Sequence, residues 1–117
     1  MKIYVCHSSN LDYKTELYEP LKREFGLRHQ LILPHDFETD FNSRVAIESA
    51  DMVLAEVSYA STGQGIELGW ADAAGVPIVC IYKIGSAPSA ALRHIAKDML
   101  AYADDLEMVE KLARQLD

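Results

Sequence analysis

Apolar and polar positions along the chain follow two alternating patterns, one typical of buried strands and one typical of amphipathic helices. The strand-like segments are short, apolar throughout and rich in β-branched residues, as in strands that are covered on both faces. They are Lys2 to Cys6, Gln30 to Leu33, Met52 to Val57, Pro77 to Tyr82, and a weaker fifth segment, MLAYA, near Met99. Repeated alternation of strand and helix predicts right-handed βαβ units and a parallel sheet.

Five helical stretches accompany these strands. They are Leu11 to Phe25, roughly Asp40 to Ala50, Gln64 to Ala74, Ser89 to Lys97, and Asp105 to Leu116. Pro20 removes a backbone hydrogen bond inside the first stretch, so we expect a bend or a late start there, and Gly26 is expected to end it. The predicted fold is a flavodoxin-like, or Rossmann-like, three-layer α/β sandwich whose five-stranded parallel sheet has the order 2-1-3-4-5.

Length and charge narrow the classes of function. The chain has 117 residues, of which 50% are hydrophobic, and a formal net charge of −7. This size fits one domain, residues 1–117, with a substantial core. The acidic balance argues against a nucleic-acid-binding protein, whose affinity needs a concentrated basic surface. No apolar run approaches the ~20 residues of a membrane span, and the one at the N-terminus is too short for a signal peptide. We therefore expect a cytoplasmic protein with a small-molecule or protein partner.

The sequence gives no sign of a metal ion or a cofactor. Cys6 and Cys80 each lie inside an apolar run, so both are predicted to be buried thiols rather than disulfide partners or metal ligands. Gly63, Gly65 and Gly69 are spaced two and four residues apart. This spacing matches neither the dinucleotide-binding fingerprint nor a phosphate-binding Walker loop.

Polar loops follow the first four strands, at the edge of the sheet where ligands of open parallel sheets bind. Their sequences are HSSN, PHDFETD, SYASTGQG and KIGSAPS. The first and third loops run into helices, so their serine, threonine and asparagine side chains can cap those helices or, together with the helix amides, hold an anion. The spacing alone favours capping.

Glu67 is a candidate catalytic group at this edge. It is predicted to lie in the first turn of its helix, where the dipole favours a negative charge by ~0.3 to 1 kcal/mol. A carboxylate held there can act as a nucleophile or stabilise a cation, or it can simply interact with its own helix dipole. Gly63 and Gly65 leave space around it, and Asp72 is expected to face solvent.

The segment ADMVLAEVSYASTGQGIELGWADAAGVPIVCIY resembles the strand, loop and helix block of the nucleoside 2-deoxyribosyltransferase superfamily, most closely its 2-deoxynucleoside 5-monophosphate N-glycosidase branch. With IYVCHSS and SAAL, the likeness extends over most of the chain. The resemblance implies a homodimeric hydrolase or transferase that cleaves or exchanges the N-glycosidic bond of a deoxynucleoside or its 5-monophosphate. It also implies that Glu67 is the nucleophile and that Tyr4 orients the Glu67 carboxylate.

The same resemblance implies the contacts of the substrate. Serines of the first, third and fourth loops hold the 5-phosphate in that family, which maps onto Ser8, Ser61 and Ser89, and the last of them comes from the partner subunit. A histidine near the base pocket of some relatives maps onto His35, and Asn10 stands in place of a phosphate-binding arginine. Together with their loop neighbours, the candidate substrate-binding residues are Ser8, Ser9, Asn10, His35, Ser61, Gly63, Gly65 and Ser89.

The sequence departs from that family at the general acid. Cleavage of the N-glycosidic bond builds positive charge on the sugar, which a carboxylate traps or stabilises, while the leaving base needs a proton. The family positions that proton with an aspartate on the second helix, where this chain has Ser43. Asp36, Glu38 and Asp40 can replace the acid, although each is more simply explained as a solvated loop residue. Loss of a general acid typically lowers the rate by at least about 10²-fold.

Two other functions stay open. YVCHSSN, SADMVLAEVS and ELGWADAAGVPIVCIY also resemble TIR-type domains, which share this architecture and either cleave NAD with a glutamate or act as interaction modules. The third-loop pattern with Gly63, Gly65 and Glu67 matches the deoxyribosyltransferase branch better. A non-catalytic domain that binds nucleotides or a protein through the same cleft is the third possibility, and Ser43 favours it.

Overall fold

The computed structural model, which describes residues 1–36 and 41–116, contains one five-stranded parallel sheet with the strand order β2-β1-β3-β4-β5. The strands are β1 (Lys2–His7), β2 (Gln30–Ile32), β3 (Met52–Glu56), β4 (Ile78–Lys83) and β5 (Asp98–Tyr102). The predicted fold class and strand order are confirmed, and most strand ends differ from the prediction by one residue. All five carboxyl ends lie at the same edge of the sheet.

Four α-helices connect or follow the strands. They are α1 (Glu19–Phe25), α2 (Ser43–Ser49), α3 (Thr62–Ala73) and α4 (Asp105–Leu116). The prediction for the last helix is confirmed, and α3 begins two residues before the predicted start. α2 begins after Asn42, whose side-chain oxygen accepts a hydrogen bond from the Val45 backbone N–H at 3.1 Å. Asp40, the predicted start of this helix, lies outside the described residues.

The first helical stretch is shorter than predicted and consists of two parts. A π-helical turn covers Lys14–Tyr18, and α1 follows it with Pro20 in its first turn. Proline is tolerated there because the first N–H groups of an α-helix have no acceptor within the helix. A continuous helix from Leu11 is therefore wrong, whereas the expected late start near Pro20 is confirmed, and Gly26 ends α1 as predicted.

The helix predicted over Ser89 to Lys97 is also wrong. The structure has a short 3₁₀ segment, Ala90–His94, in its place. The Lys97 backbone N–H donates to the Ile78 carbonyl oxygen at 2.7 Å, so the chain has already rejoined the sheet at that residue. The last residues of the predicted helix thus belong to the return of the chain to the sheet.

Two hydrophobic core clusters, one on each face of the sheet, hold the three layers together. Along β3, Leu54 belongs to the first cluster and Val53 to the second, because successive side chains of a strand point to opposite faces. α1 and α4 contribute buried residues to the first cluster, and α2 and α3 contribute to the second. The central strand is therefore buried on both faces, as its continuous apolar run predicts.

Glu56 is a buried charge at the end of β3 that fixes the loop leading to α3. Its side chain is 1% exposed, and its carboxylate accepts hydrogen bonds from the Ser58 backbone N–H at 2.7 Å, from the Ser58 hydroxyl at 2.9 Å and from the Tyr102 hydroxyl. Its main-chain carbonyl accepts a bond from the Gln64 side-chain amide at 2.8 Å. Burial, followed by the bond to Glu56, raises the pKa of Tyr102, so this hydroxyl remains a donor.

We predict that Tyr102→Phe lowers the free energy of unfolding by about 1–3 kcal/mol, since it leaves the buried Glu56 carboxylate with one donor fewer. Urea denaturation measures this difference, and Tyr82→Phe, on the neighbouring strand, is the matched control that keeps all contacts of Glu56. Equal stability of Tyr102→Phe and the wild type would show that this network does not stabilise the loop.

Candidate active site

A cavity of about 650 Å³ opens at the carboxyl edge of the sheet, between the end of β1 and one face of α3. β1 contributes Tyr4, Cys6 and His7 to its walls, and α3 contributes Glu67 and Trp70. The segment 41–44, which leads into α2, and residues 34–35, which follow β2, complete the lining. The cavity therefore lies where the fold class predicts a ligand.

Glu67 is held by two donors from β1. The Tyr4 hydroxyl donates a hydrogen bond to Oε2 of Glu67, and the Cys6 Sγ lies 3.8 Å from Oε1. Tyr4 and Cys6 point to the same face because they are two residues apart on a strand. Burial, and then the hydrogen bond to Glu67, raise the pKa of Tyr4, so its hydroxyl keeps its proton. The structure thus brings both predicted catalytic residues into direct contact.

The position of Glu67 along its helix differs from the prediction. α3 begins at Thr62 and has no acidic residue in its first turn, so Glu67 lies in the second turn. The helix dipole acts mainly within the first turn, so it does not account for the placement of this carboxylate. The hydrogen bond from Tyr4 holds the carboxylate in place instead.

Aromatic side chains form the wall around the Tyr4–Glu67 pair. The Phe41 ring is stacked with the Tyr4 ring, at 6.3 Å between centroids and 12° between planes. The Arg44 guanidinium lies 5.7 Å from the centroid of the Trp70 ring. Hydrogen bonding from Ser43 opposes the rise in the pKa of Tyr4. Ser43 therefore lies beside Tyr4 and Glu67, although its side chain is not an acid.

His7 forms a second polar group on the opposite wall. Its Nδ1 is 3.0 Å from the Ser8 carbonyl oxygen, and its Nε2 is 2.9 Å from the Tyr18 hydroxyl. Since a carbonyl oxygen can only accept, Nδ1 carries the proton and Nε2 accepts the proton of Tyr18. Burial lowers the pKa of His7. The Tyr13 and His35 rings lie 4.4 and 4.8 Å from the His7 ring.

The candidate substrate-binding residues do not all meet in one cavity. His35 and Gly63 line the cavity that contains Glu67. Ser61, Gly65 and Ser89 line a second cavity, of about 440 Å³, on the opposite face of the first turns of α3. Ser8, Ser9 and Asn10 lie on the loop after β1, outside the lining of both cavities.

The three candidate phosphate-binding serines act as caps or turn acceptors within the chain. Their hydroxyl oxygens accept backbone N–H bonds from Asn10 (by Ser8, 3.1 Å), Gln64 (by Ser61, 3.4 Å) and Ala91 (by Ser89, 3.3 Å). This capping matches what the spacing alone favours. Each hydroxyl still has its own proton to donate to a ligand, so capping and anion binding are compatible.

The sequence analysis did not single out several residues that line the cavity. Trp70 follows Glu67 by three residues, so helical spacing would have placed it on the same face. Phe41 and Arg44 flank the start of α2 and carry no periodic signal. His7 ends β1, and its contact with Tyr18 joins two elements that the sequence pattern does not connect.

The candidate replacement acids do not enter the described part of the cavity. Asp36 forms an ion pair with Lys22 at 2.7 Å and is exposed. Glu38 and Asp40 lie outside the described residues. Asp72 is exposed, as expected.

Among residues 1–36 and 41–116, no group of three or more histidine, cysteine, aspartate or glutamate side chains is arranged to hold a metal ion. In the same ranges, none of the helices has the length and apolar character that crossing a membrane would require.

Two relatives are similar to this chain in sequence. The chain is 42% identical over 40 residues to a candidate 2'-deoxynucleoside 5'-phosphate N-hydrolase of Syntrophotalea carbinolica, a match that covers 34% of this chain and 28% of that protein. It is also 42% identical over 65 residues to the 5-hydroxymethyl-dUMP N-hydrolase of Rattus norvegicus, covering 56% of this chain and 36% of that protein. The matched segments thus span about a third of the length of these relatives. No family model matches the chain.

Solved structures are similar over nearly the whole chain. The CMP N-glycosidase of Clostridium botulinum superimposes with a TM-score of 0.72 at 18% identity, covering 97% of this chain and 99% of that one. The 2-deoxyribosyltransferase of Bacillus psychrosaccharolyticus gives a TM-score of 0.65 at 20% identity, covering 93% and 90%. At these identities the likeness shows the fold. The resemblance stated from the sequence is confirmed by these relatives and structures together.

We predict that both cysteines resist alkylation in the native protein. Cys6 and Cys80 are 2% and 0% exposed. Burial raises the pKa of Cys80 to about 11 and raises that of Cys6 well above its ordinary value. Both thiols therefore stay protonated, whereas the thiolate is the form that reacts. Iodoacetamide at pH 8, followed by intact mass measurement, should modify neither thiol in buffer and both in urea. Rapid alkylation of the native protein would contradict this placement.

Proposed function

We propose that this protein cleaves or exchanges the N-glycosidic bond of a deoxynucleoside or deoxynucleoside 5'-monophosphate, with Glu67 as the nucleophile. The observation that carries the proposal is the hydrogen bond between Tyr4 and Glu67 at the wall of the 650 Å³ cavity. The two relatives, whose names describe hydrolysis of 2'-deoxynucleoside 5'-phosphates and of 5-hydroxymethyl-dUMP, support this class of substrate.

The two oxygens of Glu67 have different partners, which suggests their roles in the reaction. Oε2 accepts the hydrogen bond of Tyr4, whereas the one donor to Oε1 among the described residues is the weakly donating thiol of Cys6. Oε1 is therefore the oxygen that attacks the anomeric carbon as the bond to the base breaks and its electron pair leaves with the base. Water or a second base then attacks the same carbon and releases the carboxylate.

The walls of the cavity suit a planar heterocycle. Phe41 and Trp70 present aromatic surface beside the catalytic pair, and His35 presents a ring from the other side. Aromatic surfaces stack readily on nucleobases. We place the base between these walls and the sugar next to Glu67.

We also propose that the protein works as a homodimer. Ser61 and Ser89 line a cavity separate from Glu67, so within one chain they do not reach the same ligand as the nucleophile. Val45 on α2 and Ile66 on α3 are 59% and 51% exposed, and burial of such apolar side chains favours association. A second copy of the chain would cover them and bring its Ser89 toward the site.

We predict that Glu67→Ala abolishes base release and that Tyr4→Phe lowers kcat by about 10²-fold, the typical effect of removing one preorganised donor. Base release from the four deoxynucleoside monophosphates, the free deoxynucleosides and NAD is followed by chromatography. Glu110→Ala, an exposed acid of α4, is the matched control with unchanged activity.

Each substrate class in this experiment points to one function. If the Glu67→Ala variant still releases the base from deoxy substrates, Glu67 is not the nucleophile. Release from NAD alone would favour a TIR-type function, and saturable binding without release would favour a non-catalytic module.

For the dimer, we predict that light scattering during gel filtration gives twice the 13.1 kDa mass of the chain. We also predict that mixing Glu67→Ala with Ser89→Ala protein restores activity, because one of the two sites in a mixed dimer has both residues intact. A monomeric mass, or mixing without any gain, would contradict the shared site.

A further inference from the structure

The proposed reaction needs a proton for the leaving base, and Glu67 cannot supply it. Glu67 is the one carboxylate among the described residues that line the cavity, and a nucleophile must be ionised to attack. Ser43 stands where the resembled family carries its acid, but an alcohol does not release a proton near neutral pH. The donor is therefore a different group of the cavity.

Three of the remaining proton-bearing groups are unsuited to this role. The Tyr4 hydroxyl and the Cys6 thiol both point at Glu67, and burial raises the pKa of each. Arg44 lines the cavity, but a guanidinium stays protonated in proteins. None of them can give up a proton to a base and take one back during turnover.

Both ring nitrogens of His7 already form hydrogen bonds within the protein. Its Nδ1–H is directed at the Ser8 carbonyl oxygen, and its Nε2 accepts the hydrogen bond of Tyr18. It is also 7% exposed, and burial lowers its pKa. His7 is thus a neutral, fixed ring within the cavity wall.

His35 is held in place by contacts of its backbone and of the faces of its ring. Its backbone N–H donates to the Tyr18 hydroxyl at 3.3 Å, and its ring lies 4.8 Å from that of His7 and 4.9 Å from that of Tyr13. The ring is exposed to the cavity, and neither of its nitrogens forms a hydrogen bond with another described residue. Histidine is also the side chain whose charge ordinarily changes near neutral pH.

We propose that His35 is the general acid that protonates the leaving base, an inference that rests on the proposed function. As the bond from the anomeric carbon to the base breaks, its electron pair leaves with the base, which takes the proton from the His35 imidazolium. An oxygen of Glu67 forms the new bond to the anomeric carbon. Water then attacks that carbon, the electron pair of the ester bond returns to Glu67, and neutral His35 accepts the proton of the water.

His7 supports this role through its neutrality. The two rings are close, so two positive charges there would repel each other, and His7 is the one that stays neutral because it is buried. The other charges near His35 are the Asp36–Lys22 ion pair beside it in the chain and Arg44 on the cavity wall. Tyr13 and Tyr18 of the neighbouring helical segment are uncharged donors or stacking partners.

A comparison of substrates with two different leaving groups distinguishes a proton donor from a residue with only a structural or binding role. A nucleobase needs a proton to leave, whereas 4-nitrophenolate leaves as a stable anion. We expect His35→Gln to lower kcat for a deoxynucleoside 5'-monophosphate by at least about 10²-fold. The same variant should change kcat for the 4-nitrophenyl 2-deoxyriboside 5-phosphate by no more than a few-fold. His94→Gln, an exposed histidine on the 3₁₀ segment, should change neither.

Other outcomes would overturn the assignment. Equal losses of kcat on both substrates, or no loss on either, would remove His35 as the proton donor, and His35→Asn repeats the test with a shorter side chain. The loop acids would be the proton donors if Glu38→Gln or Asp40→Asn lowered kcat for the nucleotide alone while His35→Gln left it unchanged. Wild-type protein that releases neither the base nor 4-nitrophenolate would instead refute the proposed function. Thermal unfolding of every variant separates these losses from misfolding.

Discussion

One hydrogen bond, from the Tyr4 hydroxyl to the Glu67 carboxylate, joins the first strand of the sheet to its third helix and sets the chemistry of the cavity. It forms only if α3 begins at the right height above the sheet. The buried Glu56 fixes that height, because its carboxylate holds the loop after β3 while its carbonyl accepts a bond from Gln64 of α3. Tyr102 extends this support to the edge strand β5. The contact between Tyr4 and Glu67 therefore depends on contacts made on the opposite face of the sheet.

Glu56 and Glu67 lie at the same edge of the sheet but differ in the hydrogen bonds that their carboxylates accept. This difference distinguishes a structural glutamate from a candidate catalytic one. Glu56 accepts three hydrogen bonds from the protein and is only 1% exposed, so a ligand does not reach it. Glu67 is half-buried, faces the cavity and has one strong donor. A carboxylate with one oxygen oriented and the other nearly free is prepared to attack an electrophilic carbon.

Local sequence patterns predicted the fold better than they predicted the site. Continuous apolar runs identified every strand, and the right-handedness of βαβ crossovers limited the possible strand orders. The helix predictions were wrong at two places. A π-helical turn precedes α1, which begins just before Pro20, and the chain near Lys97 has already returned to the sheet. In the site, the resemblance supplied Tyr4 and Glu67. The separation of Ser61 from Glu67 depends on which face of α3 each residue occupies, and the sequence alone left that open.

The tautomer of His7 shows why the proton-transfer groups of such a site are beyond sequence reasoning. It is set by the Ser8 carbonyl and the Tyr18 hydroxyl, two partners on different elements, and our assignment of the proton donor to His35 depends on it. The resembled family places an aspartate on the second helix, where Ser43 here only approaches Tyr4. In our proposal, Glu67 is the nucleophile and His35, on the loop after β2, supplies the proton.

The role of Glu67 is tested most directly by mass spectrometry of protein quenched in acid during turnover of a 2'-fluoro deoxynucleoside 5'-monophosphate, whose fluorine slows hydrolysis of a glycosyl intermediate. We predict a sugar phosphate adduct on the peptide that contains Glu67, and no adduct with Glu67→Ala. Base release without an adduct, or an adduct on a different residue, would contradict the central claim.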